Sequence, residues 1–168
     1  MQKPDIPKNE ALRLQYLQQM EILDSENDPV LDDITLRTKQ RFDVPICLVS
    51  LVDTNRQWFK SNQGLDATET PRDISFCGHA INYDEILYIP DALDDMRFKS
   101  NPLVEGEPDI RFYAGAPLIM EPAIRVGTLC IIDRRPRELN QQDLEDLRSL
   151  ADEIENELSH YVHHKLSP

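Results

Sequence analysis

The chain has 168 residues, a length that folds as one domain and buries a core without disulfides or a structural metal. Its 31 acidic residues outnumber 18 Lys and Arg. The formal net charge of -13 repels phosphate backbones and anionic lipid, which argues against a nucleic-acid partner or a membrane surface.

The opening run, Met1-Gln2-Lys3-Pro4-Asp5, lacks the basic flank and apolar stretch of a secretion signal. The longest near-apolar run, Pro45 to Val52, is far too short to span a bilayer. Cys47, Cys77 and Cys130 are an odd number at wide spacing. They fit neither a disulfide framework nor a zinc ribbon, and point to a reducing cytoplasm. Residues 1–14 read as an extension leading into a first helix, Ala11 to Ile22, with Leu12, Tyr16, Met20 and Leu23 on its inner side. Asp28-Pro29 is a helix start: a side-chain acceptor, then a residue of fixed φ. The second helix is expected to reach Phe42, with Val30, Leu31, Ile34 and Thr38 inward.

Strands follow. Pro45 to Val52 is apolar on both alternating sets, so both of its faces should be covered. Further strands are expected over Gln57–Ser61, Glu85–Ile89, Ile110–Leu118 and Arg125–Ile132. Gly115 and Gly127 inside two of them suggest close backbone approach. Two stretches interrupt the strands. Thr68 to Asn82 holds a short helix around Ser75–Ile81, with Asp73 near its start. Asp91 to Asp109 is a long connection, of the kind that is usually functional or mobile. The last helix is expected over 140–163, with Asn140 as its cap and Leu139 stapled onto Leu144. In it Leu144, Leu147, Ala151, Ile154, Leu158 and Tyr161 alternate three and four apart, a seam that packs on the sheet or also pairs with its copy in a homodimer. Residues 164–168 are a tail. The order predicts an α+β domain over residues 15–160 with a mainly antiparallel sheet. The terminal helices cover one face, and the short helix and long loop cover the other. Irregular segments pack less tightly than helices, so the space beneath them is the expected ligand site.

A succession of motifs carries a resemblance. Arg41-Phe42-Asp43-Val44-Pro45 is followed by Leu51-Val52-Asp53 and Arg56-Gln57-Trp58-Phe59-Lys60. Thr70-Pro71-Arg72-Asp73-Ile74-Ser75-Phe76-Cys77, Ile89-Pro90-Asp91-Ala92 and Arg111 to Leu118 come next, then Gly127-Thr128-Leu129-Cys130-Ile131-Ile132-Asp133. Together they resemble a GAF domain of the type found ahead of bacterial histidine kinase and diguanylate cyclase modules. The resemblance implies a GAF-like (PAS/profilin-like) fold, a six-stranded-type antiparallel sheet and an enclosed small-molecule pocket. It also implies dimerisation through terminal helices, and a sensory role in signal transduction whose output another module carries. No kinase, cyclase or phosphodiesterase motif set is found in the chain.

Residues assigned to the pocket are Trp58, Phe76, Phe98 and Tyr113 as aromatic lining, with Cys77, His79, Asp91, Arg97, Arg111 and Thr128. Strand alternation puts Arg111 and Tyr113 on one face and Phe112 and Ala114 on the other, and the first pair is assigned to the pocket. Arg97 and Arg111 can fork onto a ligand carboxylate or phosphate, or pair internally with Asp91, Asp94 or Asp109. Cys77 reads either as a small wall residue or as a reactive thiol, and His79 either as a structural hydrogen-bonder or as a ligand contact. Some GAF relatives reduce free methionine-(R)-sulfoxide, and Phe76-Cys77-Gly78 resembles one of their cysteine positions. The loop Asp91–Asp109 has no Cys, and Cys47 and Cys130 fall in strands as core, so a Cys77 redox enzyme stands only as an alternative. A non-binding dimerisation scaffold is the other. Gly78 separates Cys77 from His79, against covalent bilin, and one pocket His argues weakly for haem. His160, His163 and His164 have metal-binding spacing but read as a solvated helix end. No catalytic residue and no metal site is assigned.

Overall fold

The computed structural model describes the backbone of residues 1–166 and the side chains of residues 1–162. Helices α1 (Glu10–Gln19) and α2 (Pro29–Phe42) precede strands β1 (Ile46–Val52), β2 (Arg56–Gln63) and β3 (Glu69–Pro71). Then come α3 (Phe76–Ala80), β4 (Leu87–Ile89), α4 (Pro102–Glu105), β5 (Phe112–Glu121), β6 (Ile124–Asp133) and α5 (Gln141–Leu166). The six strands form one antiparallel sheet in the order β3-β2-β1-β6-β5-β4. This is the α+β architecture expected. β3 lies inside the stretch taken as an interruption; three residues are too few for an alternation to register.

All seven residues of β1 are buried, as a strand covered on both faces requires. One face carries Cys47, Val49, Leu51, Trp58, Phe112 and Leu129 against α2 and α5. The other carries Leu48, Phe59, Tyr113, Cys130 and Ile132 beneath α3 and the 91–110 segment. Gly127 is required by the sheet: a Cβ there would stand 1.8 Å from the Ser50 carbonyl oxygen.

Asp28 starts α2 as expected. Its Oδ1 accepts from the amides of Val30 (2.9 Å) and Leu31 (3.2 Å), and its Oδ2 accepts from the Tyr161 hydroxyl (2.7 Å). One carboxylate thus caps α2 and ties it to α5. Asp28→Ala removes all three bonds, and we expect a cost of about 2 kcal/mol, read as a lowered urea midpoint with unchanged slope. At α5, Asn140 Oδ1 accepts from the Asp143 amide (2.8 Å) while Asp143 Oδ2 accepts from the Asn140 amide (3.0 Å), a reciprocal capping box.

Three expectations are corrected. Leu12 is 57% exposed, and α1 instead buries Arg13, Leu17 and the following Met20. The seat is polar: Arg13 Nη1 donates to the Val52 carbonyl (2.8 Å) and its Nε to Glu10 (2.8 Å), which apolar periodicity does not register. Val30 is half exposed while Leu31 is fully buried, because neighbours on a helix point about 100° apart. The seam residues Leu147, Ala151, Ile154 and Leu158 have no exposed surface at all. They pack on Leu31, Ile34, Leu118 and Leu129 within this chain. Tyr161 is half-buried and bonded to Asp28, and Leu144 is half-buried. The stripe is used internally, so a second copy would have to meet another face of α5. α5 continues to Leu166, past the start assigned to the tail. The side chains of His163 and His164 lie outside the described residues. Among the described residues no helix is long and apolar enough to cross a membrane, and no cluster of His, Cys, Asp or Glu is arranged to hold a metal.

Candidate functional site

The face of the sheet away from α2 and α5 is roofed by short pieces. Ser75 starts α3, its hydroxyl accepting from the Gly78 amide (3.0 Å); Asp73, expected there, lies in the preceding 3-10 turn. Asn101 starts α4 and also donates to the Ile74 carbonyl (3.0 Å), which joins the two roof segments. The N-terminal residues run over this roof. The Gln2 amide donates to the Arg97 carbonyl (3.1 Å), and His79 Nε2 lies 3.1 Å from the Gln2 carbonyl oxygen. Asn82 donates to the Asp5 carbonyl (3.0 Å). Gly78 lets this arm lie flat, since a Cβ there would stand 2.8 Å from Pro4.

Two neighbouring spaces lie between roof and sheet. The inner one, about 20 Å³, is lined by Phe76, Cys77, Tyr113 and Cys130 and has room for about one water. The outer one is a cleft of about 210 Å³ opening between the β2–β3 turn and the Glu107-Pro108 corner. Leu48, Gln57, Leu103, Ile110 and Ile132 belong to both walls. The cleft is mainly apolar, with Gln57, Asp66, Thr70, Glu107 and Arg134 as polar groups. A wider groove of about 700 Å³ beside residues 5–9 is an open surface depression, without the enclosure a ligand site needs.

The inner space has a distinct chemistry. Cys77 Sγ lies 3.1 Å from Thr128 Oγ1 and 3.2 Å from the Tyr113 hydroxyl, and Cys130 Sγ lies 4.0 Å from Ser50 Oγ. Burial pushes the Cys77 thiol up, but hydrogen bonds from Cys130, Thr128, Tyr113 and Ser50 outweigh it and hold Cys77 below its ordinary range. The neighbours move the other way: Cys130 is pushed up by its bond to Cys77 and by burial, Tyr113 by burial and the Cys77 charge. The two thiols and the phenol therefore titrate as one coupled cluster, in which a negative charge on Cys77 opposes a second ionisation. Gly115 positions the phenol, because a Cβ there would stand 2.2 Å from the Tyr113 hydroxyl oxygen. Gly115→Ala is expected to dislodge that hydroxyl and cost about 2 kcal/mol. Its Cys77 thiolate absorbance should rise only at higher pH than in the unmodified chain.

A family model for the GAF domain matches residues 26–158. The chain belongs to the GAF family. It is 42% identical over 152 residues to a cyclic di-GMP phosphodiesterase of Pseudomonas aeruginosa, covering 90% of this chain and 26% of that protein. This GAF domain thus spans about a quarter of the length of the curated relative. Among solved structures, it is similar to the GAF domain of an Acinetobacter phosphoenolpyruvate-protein phosphotransferase (TM-score 0.67, 19% identity, 94% and 97% of the two chains). It is also similar to the free methionine-R-sulfoxide reductase of Neisseria meningitidis (TM-score 0.64, 19% identity, 99% of both). At that identity the likeness concerns the fold.

The residues assigned from sequence are only partly brought together in this GAF domain. Phe76, Cys77 and Tyr113 line the inner space, Thr128 bonds to Cys77, and Phe98 stacks behind Phe76 with ring centroids 4.2 Å apart. Trp58 is on the opposite face, in the helix-side core, because the strand alternates. His79 faces Phe98 and the N-terminal arm, and burial holds its imidazole below the ordinary pKa. Asp91 accepts from the Leu93 amide (3.0 Å) and caps a turn. Arg97 forks onto Asp95 (3.0 and 2.8 Å), a partner one residue beyond the nearest one considered. Arg111 donates to the carbonyls of Val104 (2.9 Å) and Ile110 (3.0 Å), bracing the loop rather than facing the space. Gln57 and Cys130 were missed as site residues. The alternation that sends Trp58 to the helices sends Gln57 to the cleft, so that signal was present in the strand.

Proposed function

We propose that this GAF domain is a sensory module whose cleft takes a compact, mainly apolar molecule with one polar end. The observation that supports this is the cleft of about 210 Å³ against the sheet, with Gln57 and Thr70 on its wall and Arg134, Asp66 and Glu107 also lining it. The apolar walls supply affinity and the few polar groups supply orientation. Arg134 is exposed and its guanidinium has no carboxylate partner among the described residues, which suits a carboxylate end. Occupancy would favour one packing of α4 and the β2–β3 turn over another. In longer chains such as the phosphodiesterase relative, that bias would reach an attached output module. Homodimerisation, if it accompanies this, uses a face other than the buried stripe of α5.

Native mass spectrometry of the purified chain should show a retained small molecule, and small aromatic carboxylates such as benzoate serve as probes. At a hundredfold excess over Kd a probe adds about 2.7 kcal/mol of stability, an easily read rise in Tm. Ala67→Trp, on the half-buried cleft wall, should abolish that rise and leave the unliganded Tm nearly unchanged. A rise that survives Ala67→Trp places binding elsewhere. No retained molecule and no rise with any probe leaves the scaffold reading.

A further inference from the structure

Two of the three cysteines meet in the inner space, although 52 residues that include β4 and β5 lie between them. α3 brings Cys77 down onto the sheet, and the alternation of β6 turns Cys130 up toward it. Both thiols line the same space of about 20 Å³. Cys77 also lies within hydrogen-bond distance of the hydroxyls of Thr128 and Tyr113. A thiol has one proton to give. With two hydroxyls beside one sulfur, at least one donates when the thiol gives its own proton to the other, and both can donate once the thiol is deprotonated. Cys47 is the internal contrast. It sits on the other face among the aliphatic side chains of the helix-side core, and burial pushes its thiol up.

We propose that Cys77 is a peroxide-reactive thiolate and Cys130 its resolving partner, so that hydrogen peroxide closes a disulfide between α3 and β6. The inner space admits a molecule little larger than water, which fits this oxidant and excludes an amino-acid sulfoxide. Leu48, Leu103 and Ile110 line both this space and the open cleft, which makes the cleft the side from which the oxidant would have to enter. In the first step the Cys77 sulfur attacks one peroxide oxygen. The O–O bond breaks, and the departing hydroxide takes up the proton Cys77 had released, giving water and a sulfenic acid. In the second step the Cys130 sulfur attacks the sulfenic sulfur. The S–O bond breaks, the Cys130 proton leaves with the hydroxyl as water, and the S–S bond forms. Two thiols lose two hydrogens and the peroxide is reduced to two waters. The reaction needs no occupant in the cleft, so it stands or falls independently of the ligand proposed above.

The experiment treats the fully reduced chain with stoichiometric hydrogen peroxide, then unfolds it in acid, alkylates it and maps the peptides by mass. The expected product has lost two hydrogens, carries a Cys77–Cys130 crosslink and a free Cys47, and returns to the starting mass with dithiothreitol. In Cys130→Ala, Cys77 should gain one oxygen and be trapped by dimedone. In Cys77→Ala, Cys130 should stay unmodified. Circular dichroism establishes that each variant is folded. If a variant is not, the crosslink map of the unmodified chain decides. A chain unchanged by peroxide, a crosslink through Cys47, or a crosslink between two chains overturns the proposal.

Discussion

Ile154→Lys is expected to leave no folded chain at neutral pH. Ile154 has no exposed surface and sits in the core between α5 and the sheet. An ammonium at that position has no partner and no water, and its burial costs several kcal/mol even after the group sheds its proton. The lost aliphatic packing adds about 2–5 kcal/mol, as in Ile→Ala changes. Domains of this size are stable by only about 5–15 kcal/mol, so the sum consumes most or all of the margin. Circular dichroism should show loss of the cooperative melt. The opposite outcome, a folded monomer from a dimeric parent, would mean that the α5 stripe faces a second copy and that its packing on this sheet is wrong. Ile154→Ala calibrates the comparison, with a lowered but still cooperative melt.

Glu10→Gln is the second large effect. Arg13 is fully buried and Arg72 is 3% exposed, and both guanidiniums bond to the one carboxylate of Glu10. Arg72 also donates to the Asp53 carbonyl (3.0 Å), so the trio joins α1, the end of β1 and the segment before α3. Neutralising Glu10 leaves two buried cations side by side. Breaking a buried pair in this way costs about 3–5 kcal/mol, and the partial exposure of Glu10 brings the expectation to about 3 kcal/mol. Removing one cation as well, in Glu10→Gln with Arg13→Met, should recover part of the loss.

The same trio sets a pH dependence. Burial pushes the Glu10 carboxyl up, but the bonds and charges of Arg72 and Arg13 outweigh it and hold it below 4.5. A carboxyl depressed by folding contributes stability that is fully present above its unfolded value. That stability is lost as pH falls through the folded value. Urea midpoints of the parent and Glu10→Gln should therefore differ most at neutral pH and converge as the acid range below 4.5 is entered. A gap that stays constant into strong acid would mean that Glu10 carries no charge in this role.

The architecture was legible because its signals are local. Asp28-Pro29 marks a helix start, the doubly apolar β1 demands two covered faces, and Asn140 begins α5 where a capping residue belongs. The stripe of α5 was legible as a stripe, but periodicity says that a face is buried and not what buries it. The same limit hid Arg13: a charged residue at a core position has no apolar signature, and only the folded chain shows the carbonyl and carboxylate that hold it. The site was half visible. Tyr113 and Thr128 follow from strand alternation, while the meeting of Cys77 with Cys130 depends on where α3 comes to rest, which no spacing along the chain encodes. Trp58 belongs to the helix-side core because the alternation of β2 turns its neighbour Gln57 to the cleft instead.

The crossing of the first residues over α3 has a mechanical consequence. Gln2, Pro4 and Asp5 are stitched to Arg97, Gly78 and Asn82, and the same strand of chain runs on into α1, which Arg13 bolts to the sheet. α3 cannot rise from the sheet without either peeling this latch or hauling on α1. Movement of the short helix is thereby coupled to α1 through the few residues that join the latch to it.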